Sequence, residues 1–278
     1  MPELPEVETI KNTVKNALNG AVILNVQVNK RRLRDEIPAD FEQSIAGAKI
    51  SDMRRIAKYM LIDLDNGLSI ICHFGMSGKF RIESVWPENP QKHDHVIIST
   101  DKGVLIYNDA RRFGLITYCE SANLKTNRYL CKLGLDPWDS ELTSEYLLQK
   151  FKNRKTAVKL ALLDQEIICG IGNIYASEIL YKARIHPERP CESINKAEAE
   201  KIIRFTQEVL EESIAAGGST IHDFKRPDGD IGYFQEKHCV YNKTGKQCPD
   251  CNCHLNGGGI RKIVQGGRST FFCPNLQK

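Results

Sequence analysis

The sequence predicts an α+β protein: an N-terminal antiparallel β-sandwich with a leading helix, then a helical domain, then a C-terminal β-hairpin. Three observations carry this. Apolar residues alternate with period two over much of roughly the first 130 positions, punctuated by tight-turn signals. The period becomes helical between about residues 143 and 217. The last ~40 residues are rich in Cys and Gly.

The leading helix is announced by Pro5, which suits a first helical turn, and by Val7, Ile10, Val14 and Leu18 at helical spacing; Gly20 ends it. Its acidic start (Glu3, Glu6, Glu8) complements the positive end of the helix dipole. Val22, Leu24, Val26 and Val28 then alternate as a strand with one apolar face. Met60, Ile62 and Leu64 lead through Asp65-Asn66-Gly67 into Leu68, Ile70 and Cys72, a hairpin whose Asn-Gly supplies the positive φ of a tight turn. A second hairpin runs from Val96 and Ile98 through Asp101-Lys102-Gly103 to Val104 and Ile106. Beyond Leu135-Asp136-Pro137-Trp138 the helices begin. Leu160, Leu163 and Ile167 form one apolar face before Gly170-Ile171-Gly172, and Ile174, Ile179, Leu180 and Ala183 form another after it. A third helix spans about Lys196 to Ala216, and Gly217-Gly218 opens a loop rich in Gly, Asp and Pro up to about Gly232.

With 278 residues, 41% hydrophobic and 27% charged, the chain has an ordinary globular composition and the length of two domains. No apolar run approaches a membrane span, and the first residues lack the basic-then-apolar order of a signal peptide, so a cytoplasmic, non-membrane protein is expected. Residues 222–278 carry nine Lys and Arg against five Asp and Glu, the whole of the net charge of +4; the first 221 residues balance at thirty of each. A basic tail on a neutral body suits a polyanion partner, or is a solvated tail.

Three constellations carry chemistry. Of ten cysteines, six are scattered and read as reduced, buried thiols. The other four, Cys248, Cys251, Cys253 and Cys273, crowd the C-terminal region and point to a metal, one zinc per chain. Cys248-x2-Cys251 supplies one knuckle. The second is incomplete, because Leu276 stands where a fourth Cys would follow Pro274; either Cys253 or His254 substitutes, or the site is degraded and the hairpin holds by packing. Next, Gly170-Ile171-Gly172-Asn173 places two glycines before an Asn able to cap a helix, which suits a phosphate, or is simply a tight helix–helix turn. Finally, Pro2 becomes a secondary amine once Met1 is removed. An α-amino group titrates near pH ~8, so a useful fraction is neutral and nucleophilic at pH 7. Glu3 and Glu6 lie beside it in sequence and can move protons, although a plain helix start accounts for them equally.

Together these pieces resemble one family. Met-Pro-Glu-Leu-Pro-Glu-Val-Glu-Thr at 1–9 is similar to the N-terminus of the formamidopyrimidine-DNA glycosylase (Fpg/MutM) family. Further matches follow in family order along the whole chain: Arg55-Ile56-Ala57-Lys58-Tyr59, His73-Phe74-Gly75-Met76-Ser77-Gly78, Lys92-His93-Asp94-His95, Asp109-Ala110-Arg111-Arg112-Phe113-Gly114, Gly172-Asn173-Ile174-Tyr175-Ala176-Ser177-Glu178 and Gly267-Arg268-Ser269-Thr270-Phe271-Phe272-Cys273.

The resemblance implies a base-excision-repair enzyme, a bifunctional glycosylase and AP lyase that removes oxidised purines (8-oxoguanine, formamidopyrimidines) from damaged double-stranded DNA and leaves β,δ-elimination products. It implies a β-sandwich catalytic domain over 1–132, a helix-two-turns-helix DNA-binding domain over 133–232 with a lesion-recognition loop at about 217–232, and a zinc finger over 233–278. It makes Pro2 the Schiff-base nucleophile, Glu3 the acid that protonates the opening sugar, Glu6 its support, Lys58 a lysine at the lesion phosphates with a part in β-elimination, and Arg268 a phosphate ligand tied to δ-elimination. Met76, Arg111 and Phe113 become the side chains that fill the duplex once the base is extruded, and His93, Lys155 and Asn173 contact DNA. Physical chemistry agrees: reaction at a glycosidic carbon requires the nucleotide out of the stack, and the hole needs apolar and planar groups. Leu276 departs from the family's Cys-x2-Cys ending, the Cys251–Cys273 spacing is long, and Ala110 stands where Pro often precedes the two arginines. An endonuclease VIII-like enzyme for oxidised pyrimidines is the nearest rival, but its kind begins Pro-Glu-Gly-Pro-Glu, whereas Leu4 matches the purine branch. A non-catalytic DNA-binding protein competes less well with the Pro2-Glu3 pair, and a zinc-ribbon adaptor explains only the C-terminal part. A monomer is the default.

Overall fold

The computed structural model describes residues 1–219, 227 and 232–278, and the chain divides into two units, Met1–Cys131 with Ala216–Gln235, and Lys132–Ala215 with Glu236–Lys278. In the first unit, helix α1 (Leu4–Leu18) is followed by β1 (Ile23–Val28), α2 (Phe41–Ile45), β2 (Ile50–Ile56), β3 (Tyr59–Leu64), β4 (Leu68–His73), β5 (Lys79–Glu83), β6 (Asp94–Thr100), β7 (Gly103–Asn108) and β8 (Leu115–Glu120). The strands form two antiparallel sheets, ordered β1-β6-β7-β5 and β2-β3-β4-β8. Side chains from both enclose one core: Val26, Val96, Ile98 and Leu105 from the first, Met53, Met60, Ile62, Ile70 and Ile116 from the second. The expected sandwich is therefore present.

The apolar stripe of α1 enters the same core. Val7, Ile10, Val14 and Leu18 are each at most 1% exposed, worth about 1.5–3 kcal/mol apiece. Both expected hairpins form, with Gly67 at φ +84° between β3 and β4 and Gly103 at φ +154° entering β7. One expectation fails. The period-two reading of Val22, Leu24, Val26 and Val28 puts Leu24 on the buried face, yet it is 62% exposed. The β1–β6 register shifts between Ile23 and Asn25, and a bulge of this kind turns the residues before it to the opposite face.

The second unit contains α3 (Ser144–Phe151), α4 (Val158–Leu162), α5 (Asn173–Ala183) and α6 (Lys196–Ala215); α7 (Phe234–Lys237) straddles the division, and α8 (Cys253–Gly257) precedes the hairpin of β9 (Arg261–Gln265) and β10 (Arg268–Phe272). Thr143 caps α3, its Oγ1 accepting from Tyr146 N at 3.2 Å. The turns between α4 and α5 are braced by Gln165, whose Nε2 donates to Leu163 O and Ile171 O (both 2.9 Å) and whose Oε1 accepts from Gly170 N (2.9 Å). Most of the loop expected at 217–232 lies outside the described residues. Among those described, no helix is long and apolar enough to cross a membrane.

Candidate active site and nucleic-acid interface

In the first unit Pro2, Glu3 and Lys58 are all buried; Glu3 is 3% and Lys58 7% exposed. Glu3 stands at the N-cap of α1, where its backbone N–H donates to Glu6 Oε2 (2.9 Å). The other oxygen of Glu6 accepts from Ser219 N (2.8 Å). Glu6 thus fixes Glu3 and residue 219 with one carboxylate. Lys58 occupies the two-residue turn between β2 and β3, where Ile56 pairs with Tyr59. The turn places Ala57 at φ +53°, a conformation strained for a residue with a Cβ.

That turn is held from α1. Arg55 donates Nη1 to Ala57 O (3.2 Å) and Nε to Glu8 Oε2 (2.9 Å), while Lys11 donates to Glu8 Oε1 (2.5 Å). Burial would raise the pKa of Glu8, but Lys11 and Arg55 outweigh it and hold the carboxyl below the usual range. A depressed carboxylate contributes stability above its unfolded pKa, about 4.3, and loses it as pH falls through the folded value. Glu8→Gln is therefore expected to lower Tm at pH 7 and to have much less effect near pH 3; equal losses at both would refute the ion-pair account.

Beside Lys58, burial pushes His73 down to about 4, reinforced by Arg34 and Lys58, so the ring is neutral. Its Nδ1 accepts from Gly75 N (3.0 Å), leaving Nε2 as the N–H donor. Gly75 begins the loop that carries Met76. Met76 (48% exposed) and Phe113 (47%) are among the few large apolar side chains left in solvent, and the Arg111 guanidinium stacks 4.7 Å from the Phe113 ring centre. His93 is half-buried and lines a cavity of about 570 Å³ with Lys30, Lys92 and Arg112.

In the second unit Lys155 and Arg268 are exposed, Lys155 before α4 and Arg268 at the start of β10. Asn173 opens α5, but Gly172 takes the N-cap position and the Asn side chain does not cap. Instead its Nδ2 donates to Ser269 O (2.8 Å) and Tyr241 OH (3.4 Å), and its Oδ1 accepts from the fully buried Lys159. Further along α5, Glu178 accepts from the backbone N–H groups of Cys239 (2.7 Å), Val240 (3.0 Å) and Tyr241 (2.7 Å); burial pushes its carboxyl up against these three donors. Tyr181 OH and Arg184 both donate to Asp250 Oδ2 (2.9 and 2.5 Å). Helix α5 is thus a spine along which the C-terminal segment is tied.

The thiols of Cys248, Cys251, Cys253 and Cys273 all lie within 4.8 Å of one another. Cys248 Sγ is 3.3 Å from Cys251 Sγ and 3.6 Å from Cys273 Sγ, and Cys251 Sγ is 3.6 Å from Cys273 Sγ. A tetrahedral ion with metal–sulfur bonds of about 2.3 Å sets its ligands roughly 3.8 Å apart, so the donor set fits a metal. Cys253 Sγ also accepts from Cys248 N (3.3 Å). His254 is exposed and outside the cluster. Leu276 packs with Cys239, Tyr241 and Cys251 against the apolar shell of the cluster.

Two family models match the chain: the formamidopyrimidine-DNA glycosylase N-terminal domain over residues 1–116 and the formamidopyrimidine-DNA glycosylase H2TH domain over residues 133–225. Curated proteins called formamidopyrimidine-DNA glycosylase are 46% identical in Novosphingobium aromaticivorans and 40% in Roseobacter denitrificans, with all of each chain covered. The chain belongs to the formamidopyrimidine-DNA glycosylase family. It is a DNA glycosylase of base excision repair. Among solved structures, it matches a Lactococcus lactis formamidopyrimidine-DNA glycosylase mutant bound to Fapy-dG DNA (TM-score 0.91, 29% identity, 100% of both chains). The same organism's enzyme with abasic-site DNA matches at TM-score 0.90 and 29% identity over 99% of both chains, and with DNA containing an oxidised pyrimidine at TM-score 0.90 and 28% identity over 100% of both.

Several residues that this glycosylase fold uses carried no role in the sequence reading: His73, Ser77, Asp109, Lys159 and Glu178. Four stand inside quoted motifs, so the motif context was the available signal; Lys159 stands in none of them, and its only sequence signal is a cation beside the apolar residues of α4.

Proposed function

We propose that the chain removes oxidised purines, 8-oxoguanine and formamidopyrimidines, from duplex DNA by covalent catalysis through the amine of Pro2 as mature N-terminus. The observation that carries this reading is the buried pair of Pro2 and Glu3 at the head of α1, with Glu3 oriented through Glu6. The neutral Pro2 nitrogen attacks C1′ of the extruded nucleotide. The C1′–N9 bond breaks, its electron pair leaving with the purine, which takes up a proton. Glu3 protonates O4′ as the sugar opens, and the nitrogen and C1′ form an iminium. Loss of a proton from C2′ expels the 3′ phosphate, and a second elimination, with loss of the C4′ proton, expels the 5′ phosphate; water then hydrolyses the iminium, releasing the unsaturated aldehyde and the free Pro2 amine and leaving a one-nucleotide gap with phosphate ends. Lys58 contacts the phosphates around the lesion and takes part in β-elimination, and Arg268 is a phosphate ligand tied to δ-elimination. Met76, Arg111 and Phe113 fill the vacated stack, and His93, Lys155 and Asn173 contact the DNA backbone, Asn173 also by placing the β9–β10 hairpin.

Zinc in the Cys248, Cys251, Cys253 and Cys273 cluster fits the thiolate donor set and supplies structure, not chemistry: it fixes the base of the hairpin that carries Arg268. Borohydride trapping tests the whole reading. A duplex with one 8-oxoguanine is expected to give a covalent protein–DNA adduct. No adduct there, with an adduct on a thymine-glycol duplex, would reverse the substrate choice; none on either would refute Schiff-base chemistry. The pyrimidine arm is warranted because a relative has been crystallised with an oxidised pyrimidine.

A further inference from the structure

Met76 lies on the loop after β4, and Arg111 and Phe113 on the loop after β7. The two loops are distant in sequence, yet they share one buried group. Asp109 has no exposed surface. Its Oδ1 accepts from Ser77 Oγ (2.5 Å) and from Arg111 N (3.3 Å). Its Oδ2 accepts from Gly114 N (2.8 Å) and Tyr107 OH (3.4 Å). Ser77 Oγ in turn accepts from Arg111 N (3.0 Å), so the serine bridges the loops directly. The backbone of Asp109 is itself fixed: its N–H donates to His93 O (3.1 Å), and its carbonyl accepts from His95 Nε2 (2.7 Å).

The loops also meet backbone to backbone. A Cβ on Gly75 would lie 2.4 Å from Phe113 C and O and 2.6 Å from Gly114 N; one on Gly114 would lie 1.7 Å from Tyr107 OH and 2.8 Å from His73 O. No side chain fits at either position, so neither loop can shift without displacing the other. Every donor to the Asp109 carboxylate belongs to a segment that carries, or adjoins, one of the three exposed side chains. A charged acceptor with several donors is worth more than the same number of neutral bonds, and most so where water is excluded.

We propose that Asp109, acting with Ser77, is a positioning residue that makes the two loops one rigid body, so that Met76 on one side and Arg111 with Phe113 on the other enter the DNA together. This rests on the reading that those three side chains fill the duplex. Neither Asp109 nor Ser77 needs to touch DNA. The carboxylate holds Arg111 and Gly114 at both ends of the second loop and Ser77 on the first, and so sets the gap between the inserted groups.

The test compares two substrates. A duplex with one 8-oxoguanine and an adjacent 2-aminopurine reports unstacking and excision under single-turnover conditions. A single-stranded oligonucleotide with one abasic site reports lyase chemistry where there is no void to fill. Asp109→Asn is expected to slow unstacking and duplex excision roughly tenfold or more, and Ser77→Ala by a smaller factor, with lyase activity on the single strand within about twofold of wild type. An equal loss on both substrates overturns the proposal, because it marks a general loss of fold. Wild-type duplex rates in both variants, while Met76→Ala and Arg111→Ala are slow, overturn the positioning role alone. Unaltered unstacking in Met76→Ala and Arg111→Ala overturns the void-filling reading and the proposal with it. If Asp109→Asn does not fold, Ser77→Ala decides, since it removes one hydroxyl and no buried charge.

Discussion

One extra residue ahead of Pro2 is expected to abolish strand scission, by at least about 10³-fold, while duplex binding changes little. The reason is electronic. As a free secondary amine, in its neutral form, Pro2 keeps a lone pair for attack at C1′. As an amide nitrogen that pair is delocalised into the carbonyl, and no proton transfer recovers it. The fold itself tolerates the extension: Pro2 is buried with Met1 attached, and Met1 is half exposed, so the chain already has a route outward. A retained Met1, or an added Gly before Pro2, therefore separates chemistry from folding. The readouts are cleavage of an 8-oxoguanine duplex, borohydride trapping and a binding titration on an abasic-analogue duplex. Scission at the wild-type rate by the extended protein would remove the N-terminal amine from the mechanism and leave a lysine, Lys58 foremost, as the nucleophile to examine.

Cys253→Ser is expected to reduce bound zinc from about one per chain to nearly none, and to weaken duplex binding by about two orders of magnitude. His254→Ala is expected to change neither. Structural zinc sites are worth on the order of 10 kcal/mol in free energy, more than a short hairpin recovers from packing. The loss would fall on the segment that carries Arg261, Lys262 and Arg268, all exposed cations. Binding should therefore lose salt dependence as well as strength, because fewer phosphates are neutralised. The first unit has its own core and is expected to keep it, visible as an unchanged near-ultraviolet signal from its aromatic residues. Elemental analysis of both variants decides the ligand. Full metal content in Cys253→Ser, or its loss in His254→Ala, would overturn the assignment.

The sequence made the local features readable and the long-range ones opaque. Helix α1 and the turns at Gly67 and Gly103 announce themselves because periodicity and positive φ are local properties. Leu24 misled because its face depends on the register with β6, which its own neighbours do not encode. Cys253 and His254 are adjacent, so spacing could not choose between them; the choice follows from where the backbone points each side chain, with Cys253 buried in the cluster and His254 in solvent. Asn173 looked like a helix cap, but its amide is engaged by Lys159, Tyr241 and Ser269, the last two far along the chain. The partnership of Asp109 with Ser77 was invisible for the same reason: each motif could be read, but not that one carboxylate serves both. Among the catalytic candidates, the order of the motifs pointed to Pro2, Glu3 and Lys58, and burial adds what composition could not, that they stand out of bulk water.

Leu276 leaves the segment beyond Cys273 without a coordinating thiolate, and a different device holds it. Gln277 Oε1 accepts from Cys273 N (2.8 Å), its Nε2 donates to Ile185 O (2.9 Å), Lys278 N donates to Arg184 O (3.2 Å), and Lys278 O accepts from His186 N (2.9 Å). An amide clamp on the end of α5 thus stands in for a metal bond. Three of the four thiolates come from one six-residue stretch, Cys248 to Cys253, and β10 contributes a single one at its end. The cysteine cluster and the tail clamp therefore meet at one residue, Cys273, whose thiol lies in the cluster while its backbone N–H is held by Gln277. The foot of the element that carries Arg268 is thus tied to the end of α5 by hydrogen bonds at the very residue that completes the cysteine cluster.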